Sequence, residues 1–263
     1  MCDEWVLRMR VARLLHSNRP RWAMMLESGD TYRLFHSEEP WNDQTFDPKS
    51  YPVHPENLLA PAIPSKIVAV GLNYQDHIQE MKHEDHKEPV LFLKPPSALL
   101  KPEGKILYPP SSSRVDYEAE LAVVLKNRLR NASPKEALDA VWGFTCCNDV
   151  TARDLQKVDG QWARAKGFDS FCPLGPWLVT DFVEKGQKIS TRVNGEVKQS
   201  SKISMRIWNT AELLSFASKV MTLEPLDVFT TGTPSGIGPV KPGDMVEVEV
   251  EGIGVLRNQI ASI

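Results

Sequence analysis

Apolar and polar positions along this chain alternate with period two more often than they recur at helical spacing. The clearest case lies near the C-terminus, where "DMVEVEVEG" sets Val246, Val248 and Val250 against Glu247, Glu249 and Glu251. Successive side chains of a strand point to opposite faces, so this run predicts a strand with one apolar face and one in water. "PVLFLK", "KILYP", "YEAELAVVL", "GFTCCNDV", "GPWLVT", "KISTRVNGEVKQ", "DVFTTG" and "VLRNQI" also suit the strand pattern. Inside one of them, "VNGEV" around Asn194-Gly195 is a two-residue hairpin signal.

Helices are fewer and marked by their starts. "SPKEALDAV" offers Ser133 as N-cap, Pro134 in the first turn and Glu136 to close a capping box. "TARDLQKV" predicts a helix beginning at Thr151 with Asp154 three residues on. "NTAELLSFASKVM" predicts another from Asn209 or Thr210, with Leu213, Leu214 and Ala217 at helical spacing. Residues 5 to 35 read as a small β-unit of short alternating runs. Pro40, Pro48, Pro52, Pro55, Pro61 and Pro64 then punctuate a stretch with little periodicity, read as a linker across the surface. The expected organisation is a small N-terminal β-domain with linker over 1–60 and a large, mostly β domain over 61–263. The fold class is α+β.

Composition narrows the classes. A hydrophobic content of 41% and a charged content of 25% are ordinary for a soluble globular chain. A formal net charge of −3 gives no reason to expect nucleic acid or an anionic membrane as partner. No apolar run approaches the roughly 20 residues a spanning helix needs. The N-terminus carries Asp3 and Glu4 and lacks a signal-peptide core, so it reads as a folded strand. Cys2, Cys146, Cys147 and Cys172 form no CxxC, and reduced thiols in a cytoplasmic protein are the expectation.

Four polar clusters could carry chemistry. In "VDYEAELAVVL" Asp116, Glu118 and Glu120 share a strand face that turns apolar at Ala122 and Val124. Carboxylates at the margin of a buried surface repel and resist desolvation unless a positive charge offsets them, and a divalent cation would do so. In "CCNDVTARDLQ" Asp149 stands where a strand-like run meets a helix start, which suits a metal ligand and an N-cap equally. Two or three carboxylates with open positions suit Mg²⁺ or Mn²⁺ rather than zinc. Arg153 and Gln156 share a helix face there, as an ordinary surface also would. In "GLNYQDHIQEMKHEDHKEP" His77 and Glu80 lie three apart, so the carboxylate can hold and polarise the imidazole as a general base. His83, Asp85, His86 and Glu88 read as plain polarity. "TTGTPSGIGPVKPGD" is a Gly- and Pro-rich loop that lets backbone and Thr233 approach a small ligand, or simply turns.

Taken in order, "GLNYQDHIQE", "PVLFLKPPSAL", "VDYEAELAVVL", "NDVTARDLQ", "ARAKGFDSFCPLGPWL" and "KVMTLEPLDVFTTGTPSGIGPVKPGD" resemble the fumarylacetoacetate hydrolase family, particularly its short single-unit members. The resemblance runs from about residue 66 to the C-terminus, with a weaker match in the first 60 residues. It implies a mixed β-roll, usually a homodimer, and one Mg²⁺ or Mn²⁺ held by Glu118, Glu120 and Asp149. It further implies a His77–Glu80 acid/base dyad on a short lid helix and Lys166 as the site lysine. Arg153, Gln156 and Thr233 match substrate-contacting positions, and Lys94 in "FLKPP" falls near the pocket. The longer founding members bring an additional aspartate to the metal, with no counterpart identified here; this argues against fumarylacetoacetate itself as substrate.

The implied substrate is a small 2-oxo acid bearing a second carbonyl or carboxylate. Acylpyruvate hydrolysis or oxaloacetate decarboxylation is the leading expectation. Isomerisation of a 2-hydroxy-dienedioate from aromatic catabolism is the alternative, since all three pass through an enolate. A catalytically silent ligand-binding module is the alternative of another class, and the intact set of site residues speaks against it.

Overall fold

The computed structural model describes residues 9–75 and 87–263. Among these, strands dominate, and the α-helices are α1 (Pro134–Asp139), α2 (Arg153–Asp159), α3 (Ala163–Lys166) and α4 (Thr210–Val220). The chain is α+β and mostly β with mixed sheets, as the period-two patterning requires.

The largest sheet runs in the order Tyr51–Pro52, Thr31–Leu34, Arg19–Met25, Arg10–His16, Cys172–Val179, Val141–Asn148, Ala119–Leu125, Val228–Thr230, Ile67–Gly71, Val90–Lys94. Neighbours along this path are antiparallel except Val228–Thr230 and Ile67–Gly71, which run parallel. The N-terminal strands are therefore part of the main sheet, with Arg10 opposite Val179 and Val11 opposite Leu178. The Pro-rich stretch is tied down as well. Leu58–Leu59 pairs with Arg13 and Leu14, and Ala60 and Ala62 are buried.

Ala119–Leu125 lies at the centre of this sheet, and both of its faces are covered. Leu121, Val123 and Leu125 pack with Phe144, Leu213, Leu214 and Phe229, which explains why α4 is apolar along one stripe. Ala122 and Val124 enter a second core with Val11, Trp22, Phe35 and Leu174. A strand buried on both faces reads as a continuous apolar run, hence "LAVVL".

A five-stranded sheet is ordered Glu196–Lys202, Lys188–Val193, Met245–Val250, Gly254–Ser262, Lys105–Tyr108. Asn194 and Gly195 turn its first hairpin with φ of 52° and 82°. Val246, Val248 and Val250 are buried as expected, but Glu247 and Glu249 are half-buried rather than freely solvated. Arg192 faces both acids from the adjacent strand and reaches Glu249 at 2.7 Å. A third, three-stranded sheet orders Thr151–Ala152, Val115–Tyr117, Gly238–Val240.

The caps follow the sequence at two helices. Ser133 with Glu136 and Asn209 with Glu212 form complete capping boxes. The expected start at Thr151 is displaced: α2 begins at Arg153, because Thr151 and Ala152 are held in strand pairing with Asp116 and Val115. Asp154 accepts from Ser112 and Ser113 instead. No described helix is long and apolar enough to cross a membrane.

Candidate metal and substrate site

Glu118 occupies the one-residue gap between two strands that belong to different sheets. Val115–Tyr117 pairs in the three-stranded sheet, whereas Ala119–Leu125 pairs in the large one. At this changeover Glu118 takes a hydrogen bond from Asp149 N–H at 2.9 Å and gives its own N–H to Asn148 Oδ1 at 3.0 Å. Those contacts bring Asp149, just past the strand Val141–Asn148, alongside Glu118. Glu120 is one pleat further on, opposite Cys147. One oxygen from each of Glu118, Glu120 and Asp149 lies within 4.8 Å of the others, and all three residues are buried.

Cations surround this cluster. Arg153, the first residue of α2, pairs with Asp116 at 3.0 Å and also with Glu118. Lys166, the last residue of α3, bridges Glu118 at 2.8 Å and Asp149 at 2.5 Å. Lys94, wholly buried, closes on the other oxygen of Asp149. Asp116 is not a fourth member of the cluster. It accepts from Arg114 at 2.8 Å as well as from Arg153, and so anchors the guanidinium that holds Glu118. Asp149 does not cap α2; its carboxylate is taken by the two lysines.

Glu120 differs from its neighbours. Among the described residues it makes no ion pair, and it accepts from Gly232 N–H at 2.6 Å. Burial pushes its carboxyl well above the usual carboxylate range; the charge of Asp149 adds to this, and Lys166 offsets part of it. Burial works against the Lys166 ammonium, but Asp149 and Glu118 outweigh it and raise its pKa. Arg153 is likewise raised, with Glu118 and Asp116 overcoming burial. Glu118 and Asp149 thus each face cations of the chain, whereas Glu120 faces none directly among the described residues, and its burial favours the protonated form in the absence of a cation. An all-oxygen donor set of this kind fits a hard divalent cation.

The three acids open onto a cavity of about 400 Å³ that Arg153, Gln156, Lys166 and Thr233 also line. Arg153 donates to Gln156 Oε1 at 2.6 Å, so the helix-face pairing has a defined geometry. Trp162 and Phe92 form an apolar wall with ring centroids 5.1 Å apart, and the Lys166 ammonium sits 5.1 Å from the Phe92 ring. The indole crosses Gly71 so closely that a Cβ there would lie 2.5 Å from its ring. Gly232 has φ of 91°, and a Cβ on it would fall 2.8 Å from Asn73 Cβ, so glycine is needed where the peptide meets Glu120.

The structure therefore brings together Glu118, Glu120, Asp149, Arg153, Gln156, Lys166 and Thr233, with Lys94 directly on Asp149. His77 and Glu80 lie outside the described residues, as do His83, Asp85 and His86. Sequence reasoning gave no role to Asp116, although alternation put it on the right face. Lys157, which lines the cavity one turn beyond Arg153, and Gln199, which contacts Thr233, were missed altogether. Lys157 could have been found from its i, i+4 spacing to Arg153; Gln199 carried no such signal.

The chain is similar to proteins with named activities. Oxaloacetate tautomerase FAHD2A, mitochondrial, of Bos taurus is 45% identical, over 77% of this chain and 69% of its own. The 2-hydroxyhepta-2,4-diene-1,7-dioate isomerase from Mycobacterium marinum superposes with a TM-score of 0.88 at 39% identity, over 97% of this chain and 98% of that one. The 5-carboxymethyl-2-hydroxymuconate delta-isomerase from Mycobacterium smegmatis does so with a TM-score of 0.90 at 38% identity, over 97% and 100%. Residues 66–261 match the fumarylacetoacetate (FAA) hydrolase C-terminal family, and the chain is an enzyme of the fumarylacetoacetate hydrolase family.

Proposed function

We propose that this enzyme uses a divalent cation to move a proton on a small 2-oxo dicarboxylic acid, interconverting its keto and enol forms or its double-bond isomers. The observation that carries the reading is the buried triad Glu118, Glu120 and Asp149 opening onto the same cavity as Arg153, Gln156, Lys166 and Thr233. The named relatives, a tautomerase and two isomerases, favour proton transfer over the carbon–carbon cleavage that led the sequence expectation.

Glu118, Glu120 and Asp149 would hold Mg²⁺ or Mn²⁺, which when bound supplies Lewis acidity to a 2-oxo acid. The remaining work falls to the chain. When a proton leaves C3 of the substrate, negative charge grows on the 2-oxo oxygen, and the Lys166 ammonium offers a buried positive charge to balance it. We assign the proton at C3 to His77 backed by Glu80. Returning it to the oxygen gives the enol, and returning it to a conjugated carbon gives the shifted isomer. Phe92 and Trp162 keep water off one side of the cavity.

A second carboxylate on the substrate is supported by α2. Arg153, Gln156 and Lys157 share one face of that helix, and all line the cavity. Arg153, Lys166 and Lys94 are engaged by acids of the chain, whereas Lys157 makes no ion pair among the described residues. It stands one helical turn, about 6 Å along the axis, beyond Arg153.

The test follows the C3 protons of oxaloacetate by NMR in D₂O, with metal-stripped protein and then with Mg²⁺ added. Deuterium entry faster than with Mg²⁺ alone, abolished by EDTA, is the expected result. Release of pyruvate without faster exchange would replace this reading with decarboxylation.

A further inference from the structure

Thr233 lines the candidate cavity, and a hydroxyl can give or take a hydrogen bond. The packing behind it removes that freedom. Gln199 is fully buried on the strand Glu196–Lys202 and touches the loop that carries Thr233. Its Oε1 accepts from the Ala119 N–H at 2.9 Å and from the Thr191 hydroxyl at 2.7 Å. Its Nε2 donates to Thr233 Oγ1 at 2.9 Å and to the Pro234 carbonyl at 2.9 Å.

This network fixes which end of the amide is which. A backbone N–H can only donate and a carbonyl can only accept, so turning the amide over would break two contacts at once. Thr233 Oγ1 therefore receives a hydrogen from Gln199, and its own hydrogen must point elsewhere. Among the described residues no acceptor takes it. The same amide holds Ala119, the residue between Glu118 and Glu120, so one side chain ties the Gly- and Pro-rich loop to the acidic strand.

We propose that Gln199 is a positioning residue that makes Thr233 an obligate hydrogen-bond donor to an anionic oxygen of the ligand. On the functional reading above, on which this inference rests, that oxygen belongs to the carboxylate or enolate of a 2-oxo acid. A ligand presenting a donor at this point would meet hydrogen against hydrogen and be rejected. Thr233 touches the substrate; Gln199 acts through it.

The test uses the full chain, Mg²⁺ and oxalate, with affinity measured by calorimetry. Gln199→Glu keeps the shape but puts an acceptor beside Thr233 Oγ1, so the hydroxyl hydrogen turns away from the cavity. Gln199→Glu and Thr233→Val should each weaken oxalate by about tenfold or more, the loss of one hydrogen bond to a charged group. Thr233→Ser should retain the wild-type affinity. The double variant should be no weaker than Thr233→Val alone, because both changes remove the same donor. If Gln199→Glu does not fold, Gln199→Met takes its place. It frees the hydroxyl to rotate and should show a smaller loss that is again absent in the Thr233→Val background. A merely structural Gln199 would lower the melting temperature, and its effect on affinity would multiply with that of Thr233→Val; that result overturns the inference. Unchanged oxalate affinity in the Gln199 variants overturns it too, while the functional reading stands. A wild type that binds no oxalate with Mg²⁺ overturns both.

Discussion

Glu120→Gln is the perturbation most sensitive to the electrostatics of the site. Glu120 is 1% exposed, makes no ion pair among the described residues, and is pushed upward by burial and by Asp149. Because its folded pKa lies above its unfolded one, the metal-free native state binds more protons than the unfolded chain between the two values. Stability is then fully present below the ordinary glutamate range and is lost as pH rises through the folded pKa. The limiting slope for one proton is about 1.4 kcal/mol per pH unit. For a chain of this size that is roughly 3–5 °C of melting temperature per pH unit inside the window. The substituted amide cannot titrate but still accepts from Gly232, as the protonated carboxyl does. Melting temperatures of metal-free wild type and Glu120→Gln, read at intervals from pH 5 to 9, should diverge, with the wild type falling relative to the variant as pH rises. Mg²⁺ should have the opposite selectivity. At a hundredfold excess over the dissociation constant it stabilises the wild type by about 2.7 kcal/mol. Loss of a direct ligand should weaken binding by about a hundredfold or more, given that outer partners alone cost roughly 10- to 100-fold. The same Mg²⁺ then gives the variant only about 0.4 kcal/mol. Parallel pH curves, or an undiminished Mg²⁺ shift in Glu120→Gln, would refute the assignment of Glu120 as a buried carboxyl that gives up its proton to bind a cation.

Other outcomes follow from the same geometry. Lys166→Met leaves Glu118 and Asp149 facing each other with less compensation, and should cost about 3–5 kcal/mol by thermal or urea melting, partly recovered by saturating Mg²⁺; a change within error would mean that the ammonium does not hold the two acids. Lys157→Met should raise KM for a 2-oxo dicarboxylate by about fivefold, the scale of one exposed ion pair, and leave a 2-oxo monocarboxylate unaffected. Equal losses for both substrates would remove Lys157 from specificity. Burial pushes the Cys146 thiol up to about 12, so iodoacetamide at pH 8 should leave Cys146 unlabelled in the native protein and label it in urea, as read by peptide mass spectrometry.

The strands and the acid cluster were legible because they are written in local patterns. Period-two alternation located Met245–Val250, Asn194-Gly195 located the hairpin, and the acids sharing a strand face with Ala122 and Val124 flagged the site. The structure buries those acids fully rather than at the margin of a buried surface, because Arg153, Lys166 and Lys94 surround them. The capping boxes at Ser133 and Asn209 were equally local. What failed was set by partners distant in sequence. Thr151 looks like a helix start, but pairing with Asp116 draws it into a strand. Asp149 looks like a cap, but Lys94 and Lys166 arrive from elsewhere in the chain to claim it. The solvated acidic face expected of Glu247 and Glu249 is half covered because Arg192 lies across from it. Gln199 was invisible for the same reason, since all four of its hydrogen bonds are to residues outside its own strand.

The central claim is that Glu118, Glu120 and Asp149 hold a divalent cation in the cavity where substrate binds. A crystal grown with Mn²⁺ and oxalate, measured for anomalous scattering, tests it most directly. The account predicts one peak within coordination distance of all three carboxylates, with oxalate beside it and within reach of Thr233. A well-occupied Mn²⁺ peak elsewhere, with the three acids still held by Lys94, Lys166, Arg153 and the Gly232 peptide, would contradict it.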